Sequence, residues 1–177
     1  IDVKSLIESA KNNVSKYTNS TLVMLNWKIG NRINIEILND GRADYGENII
    51  KNLADLLNNY YGKGFDSRSL FRMVRFSKLF PEEKIVVTLS PLLSWSKFIE
   101  LIAIEDQLKR DFYTEMCRIE NWSVRELRNK IDGMLFERTA ICKKPDKVIR
   151  QELENLNKND RLTPDLVFKD AYILNFL

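Results

Sequence analysis

The segment from Tyr60 to Phe80 constrains the fold of this chain more than any other stretch. Gly62 and Gly64 can take the positive φ values at which a helix ends. Asp66 or Ser67 is a suitable N-cap for the next helix, because its side-chain oxygen can accept an unpaired backbone N–H. One helix therefore ends here and another begins within a few residues. This pattern predicts the turn and second helix of a helix-turn-helix.

The predicted second helix has one basic face and is apolar over most of the remainder. On a helical wheel, Arg68, Arg72 and Arg75 fall in one sector about 60° wide. The apolar positions are Leu70, Phe71, Met73, Val74, Phe76 and Phe80. A helix buried on its apolar side would therefore direct three guanidinium groups outward together.

Positive charge is concentrated in this segment. From Lys63 to Lys78 there are five basic residues and one acid, a local net charge of +4, whereas the whole chain carries +3. A basic spot on a near-neutral body is typical of a protein that meets a polyanion at one place. Arginine suits this role because its planar fork can engage a phosphate or the O6/N7 edge of guanine. The alternative is that these arginines form a solvated face or pair with acids on a neighbouring helix.

A second basic helix is predicted after Trp122. Ser123 and Glu126 have the spacing of a capping box. The apolar face consists of Val124, Leu127, Ile131, Met134 and Leu135. Arg125 and Arg128 point elsewhere, but neighbouring acids reduce the charge, so we expect phosphate contacts and no base reading from them.

Composition favours long helices. The 177 residues are 44% apolar, which suits one good core, and include only six Gly and four Pro. This scarcity predicts an all-α, mainly helical fold in place of a turn-rich β fold. The sequence has no apolar run of ~18 residues and no signal-peptide pattern at its first residues, so we expect no membrane association and a cytoplasmic location.

The sequence excludes much of enzyme chemistry. It contains no histidine, and its two cysteines, Cys117 and Cys142, have no metal-ligand spacing. Glu82 to Val87 has the Glu-x-Lys pattern of a metal-dependent nuclease strand, but no aspartate-bearing strand precedes it to supply a second ligand. We therefore predict no catalytic residue, no metal site and no cofactor in this chain.

The remaining helices are predicted from capping signals and apolar spacing. Ser5 and Glu8 form a capping box for a first helix that ends near Ser15. Dense apolar residues from Leu22 to Ile37 predict a second helix, ended by Asn39-Asp40-Gly41. Further helix starts are predicted at Asp44, at Ser90-Pro91 and at Glu105.

Several segments together resemble the N-terminal domain of the bacterial YhcG family, domain of unknown function 1016. They are Leu25 to Ile33, Tyr61 to Phe65, Leu70 to Met73, Leu93 to Ser96, Phe112-Tyr113, Asn121 to Leu127 and Lys169 to Leu177. The resemblance implies a helical, DNA-binding N-terminal domain that precedes a PD-(D/E)XK nuclease domain in full-length members. The sequence departs from the family at Lys97, where a histidine is frequent, and at Ala171, where a proline is usual.

We therefore predict a non-catalytic domain that holds double-stranded DNA for a nuclease domain. Residues 1–142 form a helical core with helix-turn-helix-like units, and residues 143–177 form a linker and terminal helices that lead to the absent nuclease domain. The predicted DNA-binding residues are Lys63, Arg68, Ser69, Arg72, Arg75, Lys78, Arg125 and Arg128. The alternative function is a protein-interaction or oligomerisation module of a restriction or mobile-element system. Helix-turn-helix proteins often dimerise. A homodimer is therefore a further possibility, although we identify no dimer seam in the sequence.

Overall fold

The computed structural model describes residues 2–36, 43–139 and 141–159. Those residues form α-helices, one short 3-10 turn and no strand, so the predicted all-α fold is confirmed. The helices are α1 Val3–Glu36, α2 Ala43–Tyr61, α3 Ser67–Leu79, α4 Glu83–Leu89, α5 Trp95–Leu101, α6 Gln107–Ile119, α7 Val124–Asp132, α8 Leu135–Arg138 and α9 Asp146–Asn159. None of these helices is long and apolar enough to cross a membrane.

The chain divides into two compact units at Ile102 and Ala103. The first contains α1 to α5, and the second contains α6 to α9. The predicted boundary between residues 142 and 143 falls inside the second unit, where α9 packs against α6. Of the predicted linker and terminal helices at residues 143–177, residues 160–177 lie outside the described residues.

The long helix α1 corrects the prediction of two separate helices. It runs without interruption over 34 residues, about 50 Å. Between the two predicted helices, the Thr21 hydroxyl donates to the Tyr17 carbonyl at 2.9 Å within the continuous helix. The side chain of Asn19 donates to the carbonyl of Ser90 at 2.9 Å, a tertiary contact that no local pattern reveals. The capping box predicted at Ser5 is also wrong, since the side chain of Asp2 caps the helix.

The first unit is organised by the close crossing of α1 and α3. A Cβ at Gly30 of α1 would lie only 1.9 Å from the carbonyl oxygen of Met73 in α3. Only a residue without a side chain fits there, so the two backbones approach directly. Asn34 donates to the carbonyl of Val74 at 3.1 Å, and the indole of Trp27 donates to the carbonyl of Phe80 at 2.7 Å.

The apolar side of α3 is the centre of the first unit's core. Leu70, Met73 and Val74 pack with Ile33 of α1 and Ile50 of α2. Farther along α3 an aromatic cluster is formed by Phe76, Phe80, Trp95 and Phe98. These contacts fix the rotation of α3 about its axis and therefore decide which of its side chains face outward.

The segment between α3 and α5 differs from its prediction at one point. Ser90-Pro91 does not begin a helix: Ser90 is the C-cap of α4, and its hydroxyl lies 2.6 Å from that of Ser20. The following helix, α5, begins at Trp95. Glu83 to Leu89 is helical, so the Glu-x-Lys pattern is not on a strand, as we inferred from the sequence. The predicted stop at residues 39–41 lies outside the described residues.

The second unit is held together around Tyr113 of α6. Its hydroxyl donates to the carbonyl of Lys130 in α7 and accepts from the backbone N–H of Phe136 in α8, each at 3.1 Å. Burial raises the pKa of this phenol above its usual value. Met134 was predicted on the apolar face of α7, but it follows that helix in a left-handed conformation and is 54% exposed.

Candidate nucleic-acid interface

The turn between α2 and α3 has the predicted backbone geometry. Gly62 and Gly64 have φ values of 81° and 146°. Asp66 caps α3, since its carboxylate accepts from the backbone N–H of Ser69 at 2.7 Å. This hydrogen bond is the main reason why the pKa of Asp66 lies below its usual value, with a smaller contribution from the charge of Arg72. The helix pair and its turn are thus present, while the assignment as a helix-turn-helix stays a prediction.

The arginine face of α3, defined as Arg68, Arg72 and Arg75, lies opposite the side that packs on α1 and α2. Arg68 and Arg75 are exposed and Arg72 is half-buried. None of the three has a carboxylate within 4.0 Å among the residues that the structure describes. The three arginines therefore form no ion pair with the described part of the chain. Their three positive charges lie together on the outward side of α3.

Arg75 also has a role in the fold. Its Nε donates to the carbonyl of Ile102, at the end of α5, at 2.6 Å. The bond orients the guanidinium and links the last part of α3 to the end of the first unit. Sequence spacing could not reveal this contact, because the partner is a backbone carbonyl 27 residues away. A substitution at Arg75 therefore tests both folding and binding, whereas Arg68 and Arg72 test the surface alone.

Three further predicted residues flank the arginine face. Lys63 is exposed in the turn before α3, and Lys78 is exposed in the last turn of the helix. Both lysines lack an ion pair among the described residues. Ser69 is half-buried beside the N-cap. The structure thus places all six predicted residues of this segment on or beside one helix.

The second predicted basic helix, α7, is built differently. Its capping box is present, with Ser123 N–H donating to Glu126 Oε2 at 2.8 Å and Glu126 N–H donating to the Ser123 hydroxyl at 3.2 Å. Arg125 and Arg128 are exposed, but Arg128 already interacts with another group of the chain. These two arginines belong to the second unit, and α7 also carries the acidic residues Glu126 and Asp132.

A charged network in the second unit was missed from the sequence. Glu115 and Arg118 of α6 form a largely buried ion pair at 2.9 Å, and Asn157 of α9 donates to the other Glu115 carboxylate oxygen at 2.9 Å. Nearby, burial raises the pKa of Asp111 above its usual value. The i, i+3 spacing of Glu115 and Arg118 was the available signal. No cluster of three or more potential metal ligands occurs in the described residues.

Comparison with known proteins adds family information. The family model described as DUF1016 N-terminal domain matches residues 2–138. The chain is 26% identical over 202 residues to the Escherichia coli (strain K12) protein named "Putative nuclease YhcG", with 97% of this chain and 53% of that protein covered. The chain thus spans about half the length of this relative. No solved structure matches. The resemblance inferred from the sequence motifs is confirmed.

Proposed function

The chain belongs to the DUF1016 N-terminal domain family, and from that premise we propose that it binds double-stranded DNA through the arginine face of α3. The observation that carries the proposal is that Arg68, Arg72 and Arg75 share one outward side of α3 and that none of them has a carboxylate within 4.0 Å among the described residues. One side of this 13-residue helix is packed in the core, and three guanidinium groups lie on the other side. This arrangement concentrates positive charge on a surface that can bind an anion.

The dimensions of α3 suit the major groove. Its 13 residues span about 20 Å, and a groove about 12 Å wide admits one α-helix. In this arrangement Arg68, Ser69 and Arg72 lie at the groove, with Arg75 beside them. Lys63 and Lys78, near the two ends of α3, contact flanking phosphates and set the register of the helix on the duplex. Arg125 and Arg128 of α7 supply weaker phosphate contacts.

We assign no catalytic role to this chain. The relative's printed name concerns a protein about twice as long. In our proposal, a PD-(D/E)XK nuclease domain in the remainder of a full-length cytoplasmic protein performs the cleavage, and this domain holds the duplex.

The test is a salt titration of duplex binding by Arg68→Ala/Arg72→Ala. Loss of about two phosphate contacts should weaken binding to a mixed-sequence duplex and reduce the slope of log K against log salt by roughly two units. These two arginines are chosen because neither makes a hydrogen bond or ion pair with the described residues, so the variant should fold normally.

The matched control is Lys16→Ala/Lys84→Ala, which removes two exposed positive charges from the same unit but not from α3. A general effect of net charge would weaken duplex binding equally in the arginine variant and in the lysine control. The proposal is wrong if the arginine variant binds the duplex as tightly as the parent chain at low salt, or if the lysine control loses as much salt dependence.

One observation favours the alternative function of protein interaction. Large apolar side chains are exposed along the first half of α1, among them Val3, Leu6, Val14 and Tyr17. Exposed apolar surface of this extent is typical of an interaction site. The two functions are compatible, because these side chains and the arginine face lie on different helices.

A further inference from the structure

The first half of α1 makes no packing contact that buries a side chain. Every residue from Asp2 to Thr18 is exposed, and the first buried residue of the helix is Val23. In proteins, most of the stability of a helix comes from the packing of an apolar face and not from its intrinsic propensity. The first half of α1 has no side packed against the described residues. We therefore expect it to pack against another molecule.

A heptad repeat that is apolar at every position except Thr21 runs along this region. We define the α1 seam as Val3, Ile7, Ala10, Val14, Tyr17, Thr21 and Met24. Their spacings alternate four, three, four, three, four and three, which is the a/d pattern of a left-handed coiled coil over three heptads. Ile7, Val14 and Thr21 occupy a positions, and the other four occupy d positions.

The seam faces away from the first unit's core. In the second half of α1, Val23, Trp27 and Gly30 face α3. At 100° per residue, the seam lies on the opposite side of the helix. Where α1 crosses the core the seam stays accessible, because Thr21 and the neighbouring Leu25 are exposed and Met24 is only partly buried. The stripe is therefore continuous over about 30 Å of one helix face.

We propose that α1 pairs with α1 of a second copy of this chain to form a parallel two-stranded coiled coil. Ile7 and Val14 at a positions are the β-branched apolar residues that parallel two-stranded coiled coils favour there, and Thr21 at the third a position is β-branched as well. The flanking e and g positions agree with this pairing. Across the parallel pair Leu6 faces Lys11 and Asn13 faces Thr18, so no like charges meet and the Lys11 stem covers Leu6.

The exposed area fits a stable dimer. The large apolar side chains on or beside this face, Val3, Leu6, Ile7, Val14, Tyr17 and Leu25, are each between 47% and 75% exposed. Together they present on the order of 650 Å² per chain, within the range of about 600–1,000 Å² per partner of a standard stable interface. The dimer does not depend on DNA binding, although it would bring two copies of α3 into one assembly.

The first experiment measures the mass of the 177-residue chain without DNA by sedimentation equilibrium. The parent chain should be a dimer, and Ile7→Asp/Val14→Asp should raise the dimer dissociation constant at least about 100-fold, because each apolar a residue contributes roughly tenfold or more. The matched control is Ser5→Asp/Asn12→Asp, which adds the same charge to the same exposed stretch on the face opposite the seam.

The second experiment fixes the orientation of the helices. Ala10→Cys places a thiol at a d position, where the two copies face each other within disulfide distance only in a parallel, in-register pair. Asn12→Cys, on the outer face, is the control and should not cross-link.

Three results would overturn the proposal. They are a monomeric parent chain, a dimer that tolerates the two seam aspartates as well as the two control aspartates, and an Ala10→Cys variant that fails to form a cross-linked dimer.

Discussion

The helices α3 and α7 have similar sequence signatures but different environments. Each begins after a turn with a side-chain N-cap, Asp66 or Ser123, and each carries arginines at helical spacing. Yet α3 buries five residues against the first unit, whereas Leu127 is the only buried residue of α7. No carboxylate lies within 4.0 Å of the arginine face of α3 among the described residues. In α7, Glu126 and Asp132 are close in sequence to the two arginines.

This difference shows what distinguishes a candidate DNA-binding helix from a solvated basic one. Arginine spacing alone does not separate the two. What separates them is how firmly the opposite side of the helix is packed, because a helix whose backbone is held in place presents its arginines to a phosphate from a defined position.

The largest predicted effect concerns the anchoring of α3. Gly30→Ala should destabilise the first unit by about 3 kcal/mol, the upper end of overpacking costs, because the new Cβ would meet the Met73 backbone at 1.9 Å. Gly133→Ala, at the end of α7, is the matched variant, since its Cβ would meet the Asn129 carbonyl at 3.0 Å and needs only a small shift. We expect its cost to stay below about 1 kcal/mol.

Peptide-resolved hydrogen exchange measures the protection of backbone amides in each of the two units separately. Gly30→Ala should lower the protection of α1 and α3 and leave α6 and α7 unchanged. Equal losses in both variants, or a loss spread over both units, would show that α3 is no more firmly seated than α7.

A smaller effect is predicted at the N-caps. Ser123→Ala removes one half of the capping box of α7 and should cost about 1 kcal/mol, seen as roughly fivefold faster amide exchange across the helix. Asp66→Ala removes the corresponding bond of α3, but the buried side chains of that helix should keep its amides largely protected. If α3 exchanges as readily as α7 after loss of its cap, burial does not anchor it as described.

The sequence predicted the features that depend on local chemistry. Two glycines before an aspartate specified the turn and the cap of α3, and Ser123 with Glu126 specified the capping box of α7. The outward direction of Arg68, Arg72 and Arg75 followed from the apolar residues between them, because a 13-residue helix has room for only one buried side.

The features that depend on distant partners could not be predicted. The prediction that the first helix ends near Ser15 was wrong, because Asn19 and Ser20, which bond with Ser90 and Leu93, lie within one continuous helix. That error also concealed the heptad repeat, since the seam crosses the supposed break. The Arg75 bond to Ile102 and the Glu115 bond to Asn157 likewise join residues far apart in the chain.

The most direct test of the central claim is an NMR titration of the chain with a short mixed-sequence duplex at low salt, following the arginine Nε–Hε signals and the backbone amides of α3 and α7. Our account predicts that the signals of Arg68 and Arg72 and the amides around them shift first and most, and that Arg125 shifts little. Shifts confined to α7, or no shift at α3 while the duplex is bound, would contradict it.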